Sequence, residues 1–465
     1  MGRVKAAARN IIFGYIGNLT TQLLGFVLRT IFIRHLGQTL NGVNALYTGI
    51  LSVLSMAELG IGTALNYSLY KPVIHKDYEK IKSYMLLYKK AYRIIGFVVA
   101  GIGLVIVPFL PYLVKQPEGV TLRDLTLYYL IFLFNTVSSY FVAYKYSLVN
   151  AEQKNYVQTN IITVTKMITV TLQIIVILTT GNFYAYLLTA ATVELLQKIF
   201  VSRYLNNMYP YLKEKDIKPL AKEEVGEVVK KTKALVLHKV GDVARLQTDA
   251  MIISGFINVT LSGIVDNYNL VISSVSNFVN IIFNSVLSSF GNLIVTESRQ
   301  KQYEIFKVYR FFACWIYGFS ATGFLLLLTP LVWLWLGPSN VLPVAAVTCI
   351  LIDYYFKGER IVLSNFKTAA GVFEQDKYLA LIQGAVNLVV SIVLVQRIGL
   401  TGVYIGTIVS GLIANITKPI IIYRVCFEIQ AKDYFLDSMD RLGVHRLELY
   451  GCSHHFHMYD GDPNM

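Results

Sequence analysis

The chain has 465 residues, of which 55% are hydrophobic and 15% are charged. Soluble domains usually contain about 45–50% apolar residues, so this composition indicates a membrane protein and excludes an ordinary soluble enzyme. The formal net charge of +14 is compatible with nucleic acid, an anionic membrane surface or basic cytoplasmic loops. The positions of the lysines separate these alternatives.

Apolar runs long enough to cross a membrane follow one another along the chain. The first, at 11–33, is too long and polar for a signal-peptide core and is predicted to be a retained helix. Further runs lie at 43–69, 92–113, 125–147, 158–180, 184–202, 234–257, 264–294, 311–336, 344–366, 379–396 and 401–423. The pattern predicts an all-α polytopic membrane protein with about 12 transmembrane helices.

Basic residues fall unevenly on the two sides of the predicted membrane. Loops on the side of the N-terminus contain many lysines, at 71–90 and 213–233, whereas the opposite loops contain few basic residues. Those few are Arg34, Lys115, Arg123 and Arg397. This asymmetry predicts a multi-pass protein of the bacterial cell membrane with both termini in the cytoplasm, and no nucleic-acid partner.

The longest polar interruption divides the predicted spans six and six. We expect an N-terminal six-helix lobe at 1–203, a cytoplasmic basic linker at 204–233 and a C-terminal six-helix lobe at 234–424. The remaining segment, 425–465, is rich in acidic residues and histidines and is predicted to be a polar, disordered or aberrant tail. Two bundles of this kind favour a transporter with a site between its halves.

The sequence offers no motif for bond-making chemistry. It has no Walker A loop, no CxxC pair, and no recognisable arrangement of serine, histidine and acid in a soluble segment. We therefore predict that the protein is not an enzyme and has no metal site. Charges inside the predicted spans are the remaining candidates for function.

The seventh predicted span has four polar residues on one face. His238, Asp242, Arg245 and Asp249 are spaced by 4, 3 and 4 residues. They are either a self-neutralising ladder near the cytoplasmic end or a stripe facing a water-filled cavity. In the second interpretation Arg245 meets an anionic substrate, and Asp242 or Asp249 binds a proton or cation.

The tenth span repeats this spacing with Asp353, Lys357, Arg360 and Ser364. Here the alternatives are cavity lining and snorkelling of the two basic side chains to the interface. Both remain open.

The first span places Asn18, Gln22 and Arg29 on a single face, and Arg29 either snorkels outward or lines a cavity. Glu58 in the second span is expected to pair with Arg29 or to bind a cation. Amide groups such as that of Asn280 suit sugar hydroxyls, and they suit hydrogen bonds between helices equally well.

Cationic side chains outnumber acids in these stripes, which predicts an anionic, phosphate-linked and hydroxyl-rich cargo. No cofactor is expected apart from a coupling Na⁺ or H⁺. The predicted substrate-binding residues are Arg29, Lys166, Arg245, Lys357, Arg360, Asn18, Gln22 and Asn280, and the predicted ion-coupling residues are Glu58, Asp242, Asp249 and Asp353.

Several short motifs resemble a known family. They are Arg29 with His35-Leu36-Gly37, Asn41-Gly42, Ala57-Glu58-Leu59-Gly60-Ile61-Gly62, Thr248-Asp249, Asn267-Tyr268-Asn269 and Ser289-Phe290-Gly291-Asn292-Leu293. Together they resemble bacterial polysaccharide-biosynthesis membrane proteins, the Wzx-type oligosaccharide flippases of the Gram-positive branch. These belong to the multidrug, oligosaccharidyl-lipid and polysaccharide exporter superfamily.

The resemblance implies two six-helix lobes in a MATE-like V around a central cavity, working by alternating access. It implies translocation of undecaprenyl-pyrophosphate-linked oligosaccharide repeat units to the outer leaflet for capsule or exopolysaccharide, with membrane lipids and the polysaccharide polymerase as partners. Arg29 matches a cationic cavity residue of such flippases, and Asp249 matches their acid in the seventh helix. The alternatives are MATE-like cation-coupled drug efflux, flipping of a lipid-linked peptidoglycan precursor, and a membrane-embedded polymerase or glycosyltransferase.

Overall fold

A computed structural model describes residues 2–115, 119–152, 154–214, 217–226, 228–229, 232, 248–285, 287–372, 375–376 and 378–440. Over these residues the chain forms α-helices joined by short turns, with no β-strand. Contacts divide it into two units, Met1–Asp266 (unit 1) and Asn267–Met465 (unit 2), and the division falls within one helix.

Unit 1 begins with a long helix that is broken once. Gly37 has φ 85° and ψ 167°, a conformation that favours glycine, and it separates the helix into two arms. The helices of unit 1 are α1 (Gly2–Leu54), α2 (Met56–His75), α3 (Tyr78–Ile106), α4 (Leu110–Leu113), α5 (Leu122–Ala151), α6 (Asn155–Thr180), α7 (Phe183–Met208), α8 (Thr248–Phe256) and the start of α9 (Val259–Ser285).

Local signals in the sequence account for several helix ends in unit 1. Thr121 and Asp124 form a reciprocal capping box at the start of α5. Gly181 adopts the left-handed conformation that ends α6. The side chain of Asn182 then accepts hydrogen bonds from the first amides of α7. The tight turn between α6 and α7 therefore follows from two adjacent residues.

The second arm of α1 packs very closely on the start of α9. An ideal Cβ on Gly42 would lie 1.8 Å from the carbonyl oxygen of Val259, so no larger residue fits there without a shift. The Asn41 side chain donates a 2.9 Å hydrogen bond to the carbonyl of Gly263, and the Thr39 and Thr260 hydroxyls lie 3.0 Å apart. These contacts fix the start of α9, within unit 1, beside α1.

Unit 2 contains the rest of α9 and the helices that follow. They are α10 (Leu287–Thr296), α11 (Arg299–Leu336), α12 (Val344–Ala370), α13 (Leu379–Ile422), a π-helical turn (Tyr423–Phe427) and a terminal helix, α14, at 432–440. α13 is interrupted at Ile398 and Gly399, where Gly399 has φ 59°. It therefore contains two of the predicted spans.

Each predicted span overlaps a helix, although the seventh, 234–257, is described only from Thr248 onward. Among the described residues seven helices are long and apolar enough to cross a membrane. This number is below twelve partly because α1 and α13 each join two predicted spans, and partly because α12 carries too many charges. The prediction of an all-α, multi-pass membrane protein is confirmed.

The predicted lobe boundaries stay a prediction, but two segments differ from what their composition suggested. The expected basic linker begins inside α7 and continues into a 3₁₀ turn, Pro210–Lys213. The expected disordered tail contains α14, because Tyr434 is buried in unit 2 and gives this polar segment an apolar anchor. Residues 441–465 lie outside the described residues.

Candidate functional site

An ion pair connects the first and ninth helices in unit 1. The guanidinium Nη1 of Arg29 lies 2.7 Å from the Asp266 Oδ2, and the two side chains are 16% and 34% exposed. The pair is thus neither sealed in the core nor fully open to solvent. An arginine held in this way can exchange its carboxylate partner for another anion that reaches it.

A lysine lies beside this pair. Lys166 of α6 is half-buried and within electrostatic range of both Arg29 and Glu194. Among the described residues it makes no ion pair or hydrogen bond. Two turns further along α6, the Gln173 amide donates a hydrogen bond to the backbone carbonyl of Tyr186. The Tyr186 side chain is also within electrostatic range of Arg29. Two predicted cations, Arg29 and Lys166, are therefore brought together.

A hydrogen-bond network extends the cluster between α5 and α7. The Asn135 amide donates to Glu194 at 2.7 Å. The Lys198 ammonium donates to the Asn135 carbonyl, to its side-chain oxygen and to the Ser138 hydroxyl, over 2.6–2.9 Å. Lys198 is buried, and its nearest acid, Glu194, is 4.0 Å away. This network fixes the orientation of the α7 charges.

We call Arg29, Lys166, Lys198, Glu194 and Asp266 the N-terminal charge cluster. It contains three cations and two acids, all in unit 1. A phosphate group that approaches Arg29 and Lys166 would meet a guanidinium able to bind two oxygens and an ammonium that forms no ion pair with any described residue. The arrangement therefore suits a phosphate-bearing anion.

The other predicted residues of the first two spans lie outside the cluster. Asn18 is exposed and Gln22 is half-buried on the arm of α1 that carries Arg29. Glu58 is half-buried in α2, where it lies in electrostatic range of Tyr92 and Tyr140. The structure pairs Arg29 with Asp266, which was not among the partners expected for it.

In unit 2 the stripe of α12 is divided between two environments. Lys357 forms a 2.6 Å ion pair with Asp353 one turn earlier and is 43% exposed. Arg360 is buried and donates to the Gly411 carbonyl at 2.7 Å and to Asn415. Arg360 thus joins α12 to α13, which is a packing contact.

Two other predicted site residues, Asn280 and Asp249, lie outside both the N-terminal charge cluster and the stripe of α12. Asn280 accepts a 3.0 Å hydrogen bond from the Tyr317 hydroxyl, as the packing interpretation of the asparagines expects. Asp249 is half-buried in the first turn of α8. His238, Asp242 and Arg245 lie outside the described residues.

Sequence reasoning missed three members of the cluster. Glu194 and Lys198 stand four residues apart in an otherwise apolar span, which is a detectable signal for a shared face. Asp266 is a lone acid near the start of a predicted span. Its pairing with a helix far away in the sequence has no local signal.

Comparisons with known proteins identify the fold. No protein-family model matches the chain, and no curated protein matches it. The structure is similar to the lipid II flippase MurJ in an inward closed conformation, with a TM-score of 0.70 and 14% identity over 98% of this chain and 94% of that one.

Two further solved structures have the same fold. An inward-facing multidrug resistance MATE family transporter of the MOP superfamily has a TM-score of 0.65 and 14% identity, covering 87% of this chain and 96% of that one. A MOP superfamily transporter from Pyrococcus furiosus, with a binding pocket of reverse polarity, has a TM-score of 0.60 and 15% identity, covering 89% and 94%. The chain therefore has the helical fold of MOP superfamily transporters.

Proposed function

We propose that this protein is a flippase that moves undecaprenyl-pyrophosphate-linked oligosaccharide repeat units from the cytoplasmic to the outer leaflet. The cargo would serve capsule or exopolysaccharide synthesis, and the polysaccharide polymerase would receive it. The observation that carries the proposal is the half-exposed Arg29–Asp266 ion pair with Lys166 beside it. Transport makes and breaks no covalent bond.

Exchange of ion-pair partners gives the cluster a mechanism for binding and release. A pyrophosphate would displace Asp266 from Arg29 and recruit Lys166, since a doubly charged group with several oxygens binds these cations better than one carboxylate. When the head group leaves, Asp266 would recover Arg29. The resting pair prevents the arginine from remaining an unpaired charge between transport cycles.

The sugars and the lipid would occupy different environments. Asn18 and Gln22, on the arm of α1 that carries Arg29, supply amides for hydroxyl groups of the head group. The polyprenyl chain would stay in the bilayer, because its apolar surface has no favourable place in a polar cavity. Movement between the leaflets would follow alternating access.

A carrier without ATP needs a gradient or a substrate sink to bias its return step. Protonation or Na⁺ binding at Asp266 would weaken its hold on Arg29 and so couple an ion to the cycle. Glu58 and Asp249 are proposed as further sites for the coupling ion. Asp242 and Asp353 remain further predicted coupling residues. Arg245 and Lys357 remain predicted contributors to substrate binding.

Two other functions share the fold, namely cation-coupled drug efflux and flipping of a lipid-linked peptidoglycan precursor. A cationic drug would be repelled by Arg29, Lys166 and Lys198, so the cluster favours an anionic cargo over efflux. A peptidoglycan precursor carries the same pyrophosphate chemistry. Loss of the gene distinguishes it, because a protein with that function should be essential for growth.

A deletion strain complemented with variants tests the proposal. We expect the deletion to accumulate lipid-linked saccharide in the inner leaflet, where a membrane-impermeant sugar-modifying reagent cannot reach it. The wild-type chain should relieve the accumulation, and Arg29→Gln should not, at equal membrane abundance. Arg123→Gln, which removes an exposed arginine at the start of α5, is the matched control and should behave as wild type.

A further inference from the structure

A basic cavity in unit 1 shares no residue with the N-terminal charge cluster. It lies where the ends of α5 and α7 meet the beginning of α3 and the turn that follows α7. Its volume is about 480 Å³, within the usual range for small-ligand sites. The charged groups that line it are Lys82, Lys89, Lys145, Lys213 and Glu214.

Lys145 is an unusual member of this lining because it is buried without an acid. Its ammonium donates to the backbone carbonyl of Ser202 at 3.3 Å, to the Ser202 hydroxyl at 2.8 Å and to the Asn206 side-chain oxygen at 2.8 Å. In the described part of the chain no carboxylate lies within 4.0 Å of it. Buried lysines are normally paired with acids. Neutral dipoles hold this ammonium in place and leave its charge uncompensated.

Two more lysines add to this excess. Lys89 is half-buried and within electrostatic range of Lys145, and it makes no hydrogen bond or ion pair with any described residue. Lys213 donates to the neutral side chain of Asn207 at 2.8 Å. Lys82, in contrast, is neutralised by Glu79 and Glu214. The positive charge of the cavity therefore comes from Lys89, Lys145 and Lys213.

We propose that this cavity binds a phosphate-bearing anion. Lys89 and Lys213 would donate directly to the phosphate oxygens, while Lys145, whose three protons already have acceptors, would compensate the charge from its buried position. A dianionic phosphate suits three uncompensated ammonium groups better than a single carboxylate does. The apolar part of the lining, including Met85 and Leu212, leaves room for carbon attached to the phosphate.

This ligand chemistry has two sources. Basic pockets between transmembrane helices bind the head groups of anionic phospholipids, and a soluble phosphate carries the same group. The uneven distribution of basic residues predicts that this end of the bundle lies on the cytoplasmic side, where both are present. The proposal does not depend on the transported cargo, because the cavity and the N-terminal charge cluster consist of different residues.

The test uses the purified full chain, both as wild type and with Arg29→Gln, so that binding at the first cluster can be subtracted. Thermal unfolding is followed at constant ionic strength with increasing inorganic phosphate. In parallel, the protein is incorporated into phosphatidylcholine vesicles with and without phosphatidylglycerol. A ligand that binds only the folded protein raises the Tm, and the stabilisation grows with the logarithm of one plus the ratio of the free ligand concentration to Kd.

We expect Lys89→Gln to weaken the response by about tenfold or more in apparent affinity, since one charge-assisted contact is lost. Lys145→Met should weaken it as well. Lys90→Gln is the matched control, because Lys90 is the next residue of α3, is exposed and does not line the cavity. A response to phosphate alone identifies a soluble ligand, and a response to phosphatidylglycerol alone identifies a lipid. The proposal would be overturned if neither inorganic phosphate nor phosphatidylglycerol raised the Tm. It would also be overturned if Lys89→Gln and Lys90→Gln changed the response to the same extent.

Discussion

The Arg29 guanidinium and the Asp266 carboxylate lie 2.7 Å apart and join α1 to α9 by an ion pair that solvent still reaches. Half-exposed ion pairs add little stability, about 1 kcal/mol or less, because both charges remain partly hydrated. In the proposed mechanism the pair matters because Arg29 can exchange Asp266 for the phosphate of the cargo. Lys166, beside it, makes no ion pair within the described residues and is available to an incoming anion.

The first prediction separates the two members of this pair. Arg29→Gln should abolish transport of the lipid-linked cargo, since it removes the phosphate ligand. Asp266→Asn should keep binding but slow release, because no carboxylate competes for the arginine. The charge swap Arg29→Asp with Asp266→Arg should keep an ion pair between the two helices and so leave the Tm near that of the wild type, but it should not support transport. Thermal unfolding in detergent and transport are both measured on the same preparations. Transport by the charge-swap variant would contradict the role of Arg29 as the phosphate ligand.

The second prediction concerns the network between α5 and α7. Asn135→Val should destabilise the protein by about 1–3 kcal/mol, because the buried Lys198 ammonium loses a hydrogen-bond acceptor and Glu194 loses its donor. Ser139→Ala on the same helix is the control, since the Ser139 hydroxyl bonds only to the backbone of Thr136 among the described residues. Thermal unfolding in detergent measures both. Equal Tm values for the two variants would show that this hydrogen-bond network does not stabilise the protein.

The third prediction concerns α14. The Arg310 guanidinium lies 3.6 Å from the centre of the Tyr434 ring and donates to the Tyr434 carbonyl, Asp437 and Ser438. Tyr434→Ala should cost about 3 kcal/mol through loss of a buried ring. Tyr434→Phe should be nearly neutral, because the buried hydroxyl has no hydrogen-bond partner in the described structure. Chemical denaturation measures the free energy of unfolding of both variants. A large decrease in Tyr434→Phe would contradict this description of how Tyr434 packs.

The fourth prediction concerns the close approach of α1 and α9. Gly42→Ala should severely reduce folded protein, since its Cβ would overlap the carbonyl of Val259. Gly25→Ala, in the other arm of α1, has nothing within 4 Å of its Cβ. It should be neutral or stabilise the helix by about 0.5–1 kcal/mol. The yield of monodisperse protein after detergent extraction distinguishes the two variants, and equal yields would contradict the close packing.

Sequence patterns could predict the helices but not how their charges pair. Hydropathy located the spans because each must satisfy its backbone internally and present apolar side chains to lipid. Periodicity placed Asp353 and Lys357 on one face, and they do form a pair. It could not show that Arg360 turns to the Gly411 carbonyl, or that Asp266 reaches Arg29, because both contacts join separate helices.

The tail shows a second limit of composition. Its polar residues suggested disorder, yet one tyrosine gives α14 a buried contact with Arg310. Arg310 itself lies at the edge of a predicted span, where a basic residue is typical of an interface and gives no sign of a specific partner.

Reconstituted flipping tests the central claim most directly. The purified chain is placed in liposomes with a fluorescent polyprenyl-pyrophosphate-linked oligosaccharide, and a membrane-impermeant quencher reports the labelled head groups in the outer leaflet. Arg29→Gln and Arg123→Gln are tested alongside the wild-type chain. The account predicts that the wild type and Arg123→Gln expose the inner-leaflet label to quenching, whereas Arg29→Gln does not. Quenching by the wild type no greater than in protein-free liposomes, or undiminished quenching with Arg29→Gln, would contradict it.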